Sequence, residues 1–329
     1  MDKLGQTKIL VTGGAGYIGS HMVKMLSQAG YTITTLDDLS TGYRDSVVAG
    51  EFVFGNCGDK NLLHQLLSQK FDAVMHFASF IQVGESVLNP SKYYQNNLVN
   101  TFNLLDAMQH YGVKHFIFSS TAATFGKPKY IPIDEHHLQV PINPYGRSKL
   151  MVEQLLSDYD RSYGLRSVCL RYFNAAGADP EGQIGERHDP ETHLIPLLLR
   201  VASGRNSHIT VYGYDYDTPD GTCIRDYIHI HDLCSAHLLA LQSLINGSES
   251  QAYNLGNGNG YSVQEVINMV EKLSGKKIKI IKGPRREGDP DRLIADSRLI
   301  RQKLGWTPRY DDLSTIIKHA WEWELKLNT

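Results

Sequence analysis

Among the 18 tyrosines only Tyr145 has a lysine, Lys149, four residues further on, in the run NPYGRSK from Asn143 to Lys149. On a helix that spacing sets both side chains on one face. A phenol beside an ammonium is a proton-transfer pair, because the cation favours the phenolate. Free tyrosine titrates near 10, so service as a base near neutral pH requires roughly 4 kcal/mol of preferential phenolate stabilisation. The pair opens the helix that follows a strand ending FSSTAATFG (Phe118 to Gly126), where Ser119, Ser120 or Thr121 offers a hydroxyl beside Tyr145. Strand carboxyl ends form the ligand crevice of open parallel sheets, so this position suits chemistry.

Thr12 to Ser20 reads TGGAGYIGS, with Gly13, Gly16 and Gly19 at three-residue spacing between an apolar strand and an amphipathic stretch. Glycines let a backbone turn tightly and approach a pyrophosphate, and the helix N-terminus behind them supplies free N–H donors. Asp37 closes the second strand, where a carboxylate accepts from both adenine-ribose hydroxyls and repels a 2′-phosphate, and its neighbour is Asp38, not arginine. The expected cofactor is NAD in preference to NADP. Its cationic nicotinamide ring is a second source of phenolate stabilisation beside Lys149.

The elements that must position these residues follow from periodicity. Short apolar runs (Thr7 to Thr12, Thr32 to Leu36, Phe52 to Phe54, Ala73 to Phe77, His115 to Ser119, Ser167 to Leu170) alternate with amphipathic stretches (Tyr17 to Ala29, Asn61 to Gln69, Pro90 to Tyr111, Tyr145 to Tyr163). Unbroken apolar strands alternating with helices imply a parallel sheet covered on both faces, an α/β, Rossmann-like doubly wound fold. Beyond about residue 175 the pattern loosens into a smaller C-terminal α/β substrate lobe. It holds a Gly/Asp/Pro-rich loop (Gly177 to Pro190), a helix near His193 to Ser203, a strand DYIHI (Asp226 to Ile230), and a helix opened by a Ser262/Glu265 capping box. Two domains are expected, 1–175 for the cofactor and 176–329 for the substrate, with part of 225–245 packing back onto the first.

Charge is balanced, 33 Lys plus Arg against 35 Asp plus Glu, without long runs of either sign, which argues against nucleic acid as a partner. No apolar stretch approaches 18 residues and the N-terminus enters a strand directly, so a cytoplasmic protein without membrane attachment is expected. Cys57, Cys169, Cys223 and Cys234 lie far apart with no Cys-x-x-Cys or Cys/His spacing, and are expected to be reduced thiols with no metal site.

TGGAGYIGS, HFAS (His76 to Ser79), FSST, YGRSK, RYFNAAGA (Arg171 to Ala178), RDYIHIHDL (Arg225 to Leu233) and PRREGD (Pro284 to Asp289) run in an order that resembles the UDP-glucose 4-epimerases of the extended short-chain dehydrogenase/reductase family. The resemblance spans nearly the whole chain. It implies Tyr145 as catalytic base, Lys149 as the lysine that holds the nicotinamide ribose and lowers the tyrosine pKa, and Thr121 as the hydroxyl touching the sugar 4-OH. For the cofactor it implies Gly13, Gly16, Tyr17, Ile18, Gly19, Asp37, Asp38, Phe77, Ala78, Ser79, Asn96, Ser119 and Phe173. For a UDP-sugar it implies Asn174, Leu194, Tyr212, Arg225, Arg286 and Asp289, the arginines suiting a diphosphate.

Departures from the family pattern are Asn56 and Cys57, where an acidic and an aliphatic residue often flank the adenine, Ile81 where some members carry lysine, and His193 where asparagine is common beside the sugar nucleotide. The implied reaction is reversible inversion at C4 of a UDP-hexose through a 4-keto sugar, with NAD retained, in a homodimer paired through the Pro90 to Tyr111 and Tyr145 helices. Related dehydratases place an Asp-Glu pair after the hydroxyl residue; here Ala122 and Ala123 stand there. UDP-pentose or UDP-uronate epimerisation and a non-catalytic NAD-sensing role are the alternatives. Leu293 stands where epimerases restricted to glucose and galactose carry a tyrosine, so UDP-GlcNAc and UDP-GalNAc join the expected substrates.

Overall fold

The computed structural model describes residues 7–286 and 289–328, so Glu287 and Gly288 of the motif Pro284 to Asp289 lie outside the described residues. β1 (Lys8–Thr12) leads through the glycine turn into α1 (Tyr17–Gln28), followed by β2 (Thr32–Asp37), β3 (Glu51–Phe54), α2 (Lys60–Leu67), β4 (Ala73–His76), α3 (Val83–Leu88), α4 (Pro90–Tyr93), α5 (Asn100–Tyr111), β5 (His115–Ser119), α6 (Pro144–Tyr163) and β6 (Arg166–Tyr172). The stretch Pro90 to Tyr111, expected as one helix, is α4 and α5 joined by a π-helical segment, Tyr94–Val99. π-helical turns widen a helix locally and often sit at functional sites.

The chain continues through β7 (Asn174–Ala176), α7 (Leu194–Ala202), β8 (Ile209–Tyr212), β9 (Ile224–His229), α8 (Ile230–Ile245), β10 (Gln251–Leu255), β11 (Gly260–Ser262) and α9 (Val263–Ser274). It ends with β12 (Ile280–Gly283), β13 (Arg292–Leu293), α10 (Arg298–Leu304) and α11 (Leu313–Leu327). The capping box of α9 is present in full, the Ser262 hydroxyl accepting from Glu265 N and the Glu265 carboxylate accepting from Ser262 N.

Two compact units emerge, neither continuous in sequence. The first takes the chain up to Gly126, then Leu138–Arg171 and Cys234–Tyr253; the second takes Lys127–His137, Tyr172–Leu233 and the chain from Asn254 onward. In the first, a seven-stranded sheet has the order β10-β6-β5-β4-β1-β2-β3. Its pairs from β6 to β3 are all parallel. Strand order reverses between β1 and β4, where Thr12 lies opposite His76. Doubly wound sheets bind ligands at the carboxyl ends beside that reversal. One face of the sheet buries Leu10, Leu36, Val74 and Phe116 against Leu63 and Leu67 of α2, Leu104 and Met108 of α5, and Val152 and Leu156 of α6.

The second unit pairs β9 with β11, β13 and β7, and β8 with β12. Its core sets Leu198 of α7, Val266 and Ile267 of α9, and Ile316 and Ile317 of α11 against Ile209 and Val211. Asp226 on β9 is the polar hub of this unit. Its fully buried carboxylate accepts N–H bonds from Asn257 (2.8 Å), Gly258 (3.0 Å) and Ala295 (3.1 Å), and burial nevertheless raises its pKa to about 6.

Candidate functional site

Gly13 has φ +75°, and a Cβ there would stand 2.3 Å from Ala78 N, so the turn after β1 presses directly on the backbone after β4. A Cβ on Gly19 would meet Gly13 O at 2.1 Å, which explains the third glycine by packing of α1 on the turn. Gly16 differs: the nearest atom to a Cβ is 3.4 Å away, an ordinary contact. The protein itself does not require glycine at that point, whereas a pyrophosphate approaching the backbone would. Gly16 is also the N-cap of α1 and brings no side chain, and the first turn, beginning at Tyr17 and Ile18, carries no acid. The helix end therefore offers N–H donors to an anion. Ser79 Oγ, just beyond Phe77 and Ala78, is buried without a hydrogen-bond partner among the described residues, as expected of a hydroxyl kept for a ligand. These features fit a dinucleotide.

Asp37 ends β2 as the spacing demands. Its Oδ2 accepts from Ala15 N (2.9 Å) and its Oδ1 from Leu39 N (2.8 Å), which ties the second strand to the glycine turn. Burial raises the Asp37 pKa, with those two N–H groups opposing. Asp38 Oδ2 accepts from Asn56 Nδ2 at 2.8 Å, and Asn56 Oδ1 in turn accepts from Asn100 Nδ2 at 3.1 Å. Cys57 sits in the core with Leu63 and Leu66, its thiol pKa pushed up to about 12 by burial.

The helix carrying the tyrosine is built by its own first residues. Asn143 caps α6, its side chain accepting from Gly146 N at 2.8 Å, and Pro144 occupies the first turn, where its missing N–H costs nothing. Tyr145 and Lys149 then fall one turn apart, both buried. Lys149 Nζ donates to Ser119 O at 2.8 Å and lies 4.8 Å from the Phe118 ring centre. Gly146 is what lets the strand end approach: a Cβ there would stand 2.5 Å from Ala123 O. That close approach brings the turn Ala122–Thr124 onto α6 and the Thr121 hydroxyl to the Tyr145 phenol. Thr121 Oγ1 also accepts from Ala123 N (3.1 Å), which leaves its proton for the phenol. Of the three hydroxyls that sequence left open, Thr121 is the one that meets the phenol, whereas Ser120 Oγ donates to Glu153 Oε1 at 2.5 Å.

Burial dominates both titrations. It raises the Tyr145 pKa, with the Thr121 hydrogen bond working against it, and it lowers that of Lys149 to about 7, with Glu153 working against it. The expectation that Lys149 depresses the phenol pKa is therefore not met by the chain alone. The ammonium is itself penalised and faces the Ser119 carbonyl.

Several supporting residues escaped the sequence. Glu153, one turn beyond Lys149, is a buried carboxylate gripped by Arg171 Nε (3.0 Å) and a terminal nitrogen (2.6 Å), with Gln139 Nε2 at 3.0 Å. The i,i+4 spacing from Lys149 was its only signal. Asn97, beside the expected Asn96, exchanges hydrogen bonds with Phe80 N and O at 3.0 Å and donates to Ser148 Oγ at 3.2 Å, pinning the chain after β4 to α6. Asn96 Nδ2 itself donates to Asn97 Oδ1 at 3.0 Å.

The remaining expected residues lie in the second unit. Phe173 links β6 to β7, and Asn174 Nδ2 donates to Asp226 O at 2.9 Å. Arg225 on β9 is ion-paired with Asp289 and lies in register with Leu293 on β13. The Arg286 guanidinium stacks 4.4 Å above the Tyr212 ring. His193 is the N-cap residue of α7, immediately before Leu194, with Nδ1 2.8 Å from Glu186 Oε1 and 3.0 Å from Glu191 Oε1. Burial counts against its charged form, but those carboxylates raise its pKa to about 10.

Lys149→Met tests the buried charge. The folded pKa of about 7 lies below the ordinary 10.5, so the cost of the charge is full below pH 7 and relieved as pH climbs towards 10.5, where the unfolded chain also loses the proton. Parent stability therefore gains on the variant across that window in denaturant titrations. A difference that stays flat from pH 7 to 10 refutes the depressed pKa.

The profile of the NAD dependent epimerase/dehydratase family matches residues 9–256. A UDP-glucose 4-epimerase of Lacticaseibacillus casei is 50% identical over 317 residues, 96% of this chain and 96% of the relative. The crystal structure of UDP-glucose 4-epimerase from Brucella ovis in complex with NAD has a TM-score of 0.94 at 49% identity, covering 96% of this chain and 97% of that one. The UDP-Glc/GlcNAc 4-epimerase of Campylobacter jejuni has a TM-score of 0.85 at 44% identity, covering 97% and 99%. With this glycine turn, this Tyr-Lys helix and near full-length similarity, the chain belongs to the NAD dependent epimerase/dehydratase family.

Proposed function

We propose that the protein is a UDP-glucose 4-epimerase that inverts C4 of UDP-glucose and UDP-galactose reversibly with NAD retained. The observation that carries this reading is the Tyr145 phenol engaged by Thr121 at the end of β5, with Ala122 and Ala123 following, so that no carboxylate stands where an elimination would need one. NAD supplies the redox capacity. As phenolate, Tyr145 takes the proton of the sugar 4-OH and becomes the phenol, which returns that proton in the reverse step, and the Thr121 hydroxyl orients the exchange. Lys149, held by Ser119 O, balances the charge on the phenolate side. Gly16, the N-terminus of α1 and Ser79 hold the pyrophosphate side of the cofactor, and Asp37 holds the adenine ribose. Arg225, Arg286 and Asn174 hold the UDP-sugar.

The substrate range extends to UDP-GlcNAc and UDP-GalNAc. Leu293, on β13 beside Arg225 of β9, brings neither ring nor hydroxyl to the place where a tyrosine would narrow the wall at the sugar C2 substituent. The protein is a homodimer. Val99, Phe102 and Met151 are exposed apolar side chains that, with Leu98 and Leu155, line a groove of about 460 Å³ on α5, α6 and the π-helical segment, a surface suited to a helix pair from a second copy. Among the described residues no helix is long and apolar enough to cross a membrane. All four cysteines are buried and form no disulfide, which suits the reducing cytoplasm, a location that cell fractionation checks.

Tyr145→Phe should fold and retain NAD while losing epimerisation by roughly 10²- to 10⁴-fold, the range of positioned acid–base groups. Thr121→Val should cost about tenfold, one hydrogen bond; a loss as deep as that of Tyr145→Phe in the same product assay reverses the roles. Leu293→Tyr should keep turnover of UDP-glucose and abolish that of UDP-GlcNAc, and a parent enzyme without UDP-GlcNAc turnover refutes the wider range. Light scattering at micromolar concentration should give twice the chain mass of 36.9 kDa, and a monomer mass overturns the dimer.

A further inference from the structure

The loop that leads into α7 gathers four ligand-bearing side chains within eight residues, Glu186, His188, Glu191 and His193, whose donor atoms all lie within 4.8 Å of one another. We propose that this Glu-x-His-x-x-Glu-x-His loop is a binding site for a divalent transition-metal ion of the zinc class, held by two imidazoles and two carboxylates.

Three observations carry the proposal. The first is spacing. Zinc bonds to nitrogen and oxygen of about 2.0–2.2 Å place tetrahedral ligands roughly 3.3–3.5 Å apart. The imidazole–carboxylate contacts are of that size, His193 Nδ1 lying 2.8 Å from Glu186 Oε1 and 3.0 Å from Glu191 Oε1, and His188 Nδ1 3.2 Å from Glu186 Oε1 and 3.7 Å from Glu191 Oε2, so that shifts of an ångström or so close the set, all within 4.8 Å, around one ion. The second is an orphan. The Glu191 side chain is 1% exposed, its Oε1 accepts from the backbone N–H of Thr192 and His193, and its Oε2 has no hydrogen-bond partner among the described residues. The nearest cation on the other side, Arg200, is 4.0 Å away and donates instead to His188 O at 2.8 Å. A buried carboxylate oxygen without a partner is costly, and a cation within the cluster satisfies it.

The third observation is access. The carboxylates close the inner side of the cluster, whereas the His193 side chain is 42% exposed, so an ion can enter from solvent. Zinc binds neutral imidazole, so it takes the place of the Nδ1 protons that His188 and His193 share with Glu186 and Glu191, and those protons pass to solvent. The expectation of no metal site follows from the cysteines. The ligands here are oxygen and nitrogen donors; His188 and His193 have an H-x4-H spacing but lack the cysteine pair that completes a Cys/His zinc pattern. Bound metal would fix the start of α7, because His193 is its N-cap residue.

The test uses tag-free, full-length protein with its bound NAD, stripped with chelator and equilibrated with Zn²⁺ before gel filtration. One equivalent of zinc per chain should be retained, Co²⁺ should give the visible absorption of a tetrahedral site, and Zn²⁺ should raise the Tm. Glu191→Gln and His188→Asn should each weaken zinc binding at least tenfold and abolish the Tm rise, with NAD retention reporting that the variants are folded. Parent protein that retains no zinc, or that loses none of its affinity in either folded variant, overturns the proposal. Should neither variant fold, the zinc content and Co²⁺ spectrum of the parent decide it alone.

Discussion

Two groups whose charged forms belong in water, the Tyr145 phenol and the Lys149 ammonium, lie buried one helical turn apart at the carboxyl end of β5. Removing an ionised group from water costs several kcal/mol unless neighbours answer it. The surroundings can be understood as those answers. Ser119 O and the Phe118 ring face the ammonium, the Thr121 hydroxyl faces the phenol, and Glu153 supplies negative charge one turn further along. They are incomplete, which leaves the lysine near a pKa of about 7 and the phenol above its ordinary value. The lysine is thereby the member of the pair whose charge responds near neutral pH to a further charge brought beside it.

Holding that balance requires rigidity, and the first unit supplies it through polar pins set into the apolar core. Arg171 grips Glu153 with two nitrogens, and Glu153 fixes Ser120. Asn97 joins the chain after β4 to Ser148, whose hydroxyl donates to Tyr145 O at 2.8 Å. Each pin connects a strand end to α6, so the tyrosine is referenced to β4, β5 and β6 together. The second unit uses the same device around β9, where Asp226 collects three backbone N–H groups from otherwise irregular chain. Buried carboxylates that accept several N–H bonds fix loops at positions that apolar packing, being non-directional, leaves loose.

Local chemistry was legible because it is written in neighbouring residues. The i,i+4 pair of α6 was read from spacing, and the Asn143 cap and Pro144 that begin the helix in the structure act within the same turn. The glycine turn, the acid at the end of β2 and the capping box of α9 are likewise local, so residue types alone determined them. Periodicity gave the strand and helix alternation, since a strand buried on both faces must be apolar throughout. It did not give the π-helical segment, because the apolar pattern of Pro90 to Tyr111 continues through it.

Tertiary structure decided what depends on residues far apart in the chain. Which hydroxyl meets Tyr145 was open among Ser119, Ser120 and Thr121 until Glu153 engaged Ser120 and the absent side chain of Gly146 admitted the Thr121 turn. The direction of the Tyr145 pKa is set by burial, which no spacing reveals. The sequence by itself determined on which elements the candidate groups ride, since that depends on neighbours within a turn or two. Their partners, solvation and charge state were decided by folding, because desolvation and hydrogen bonding act through space between segments whose meeting no local pattern encodes.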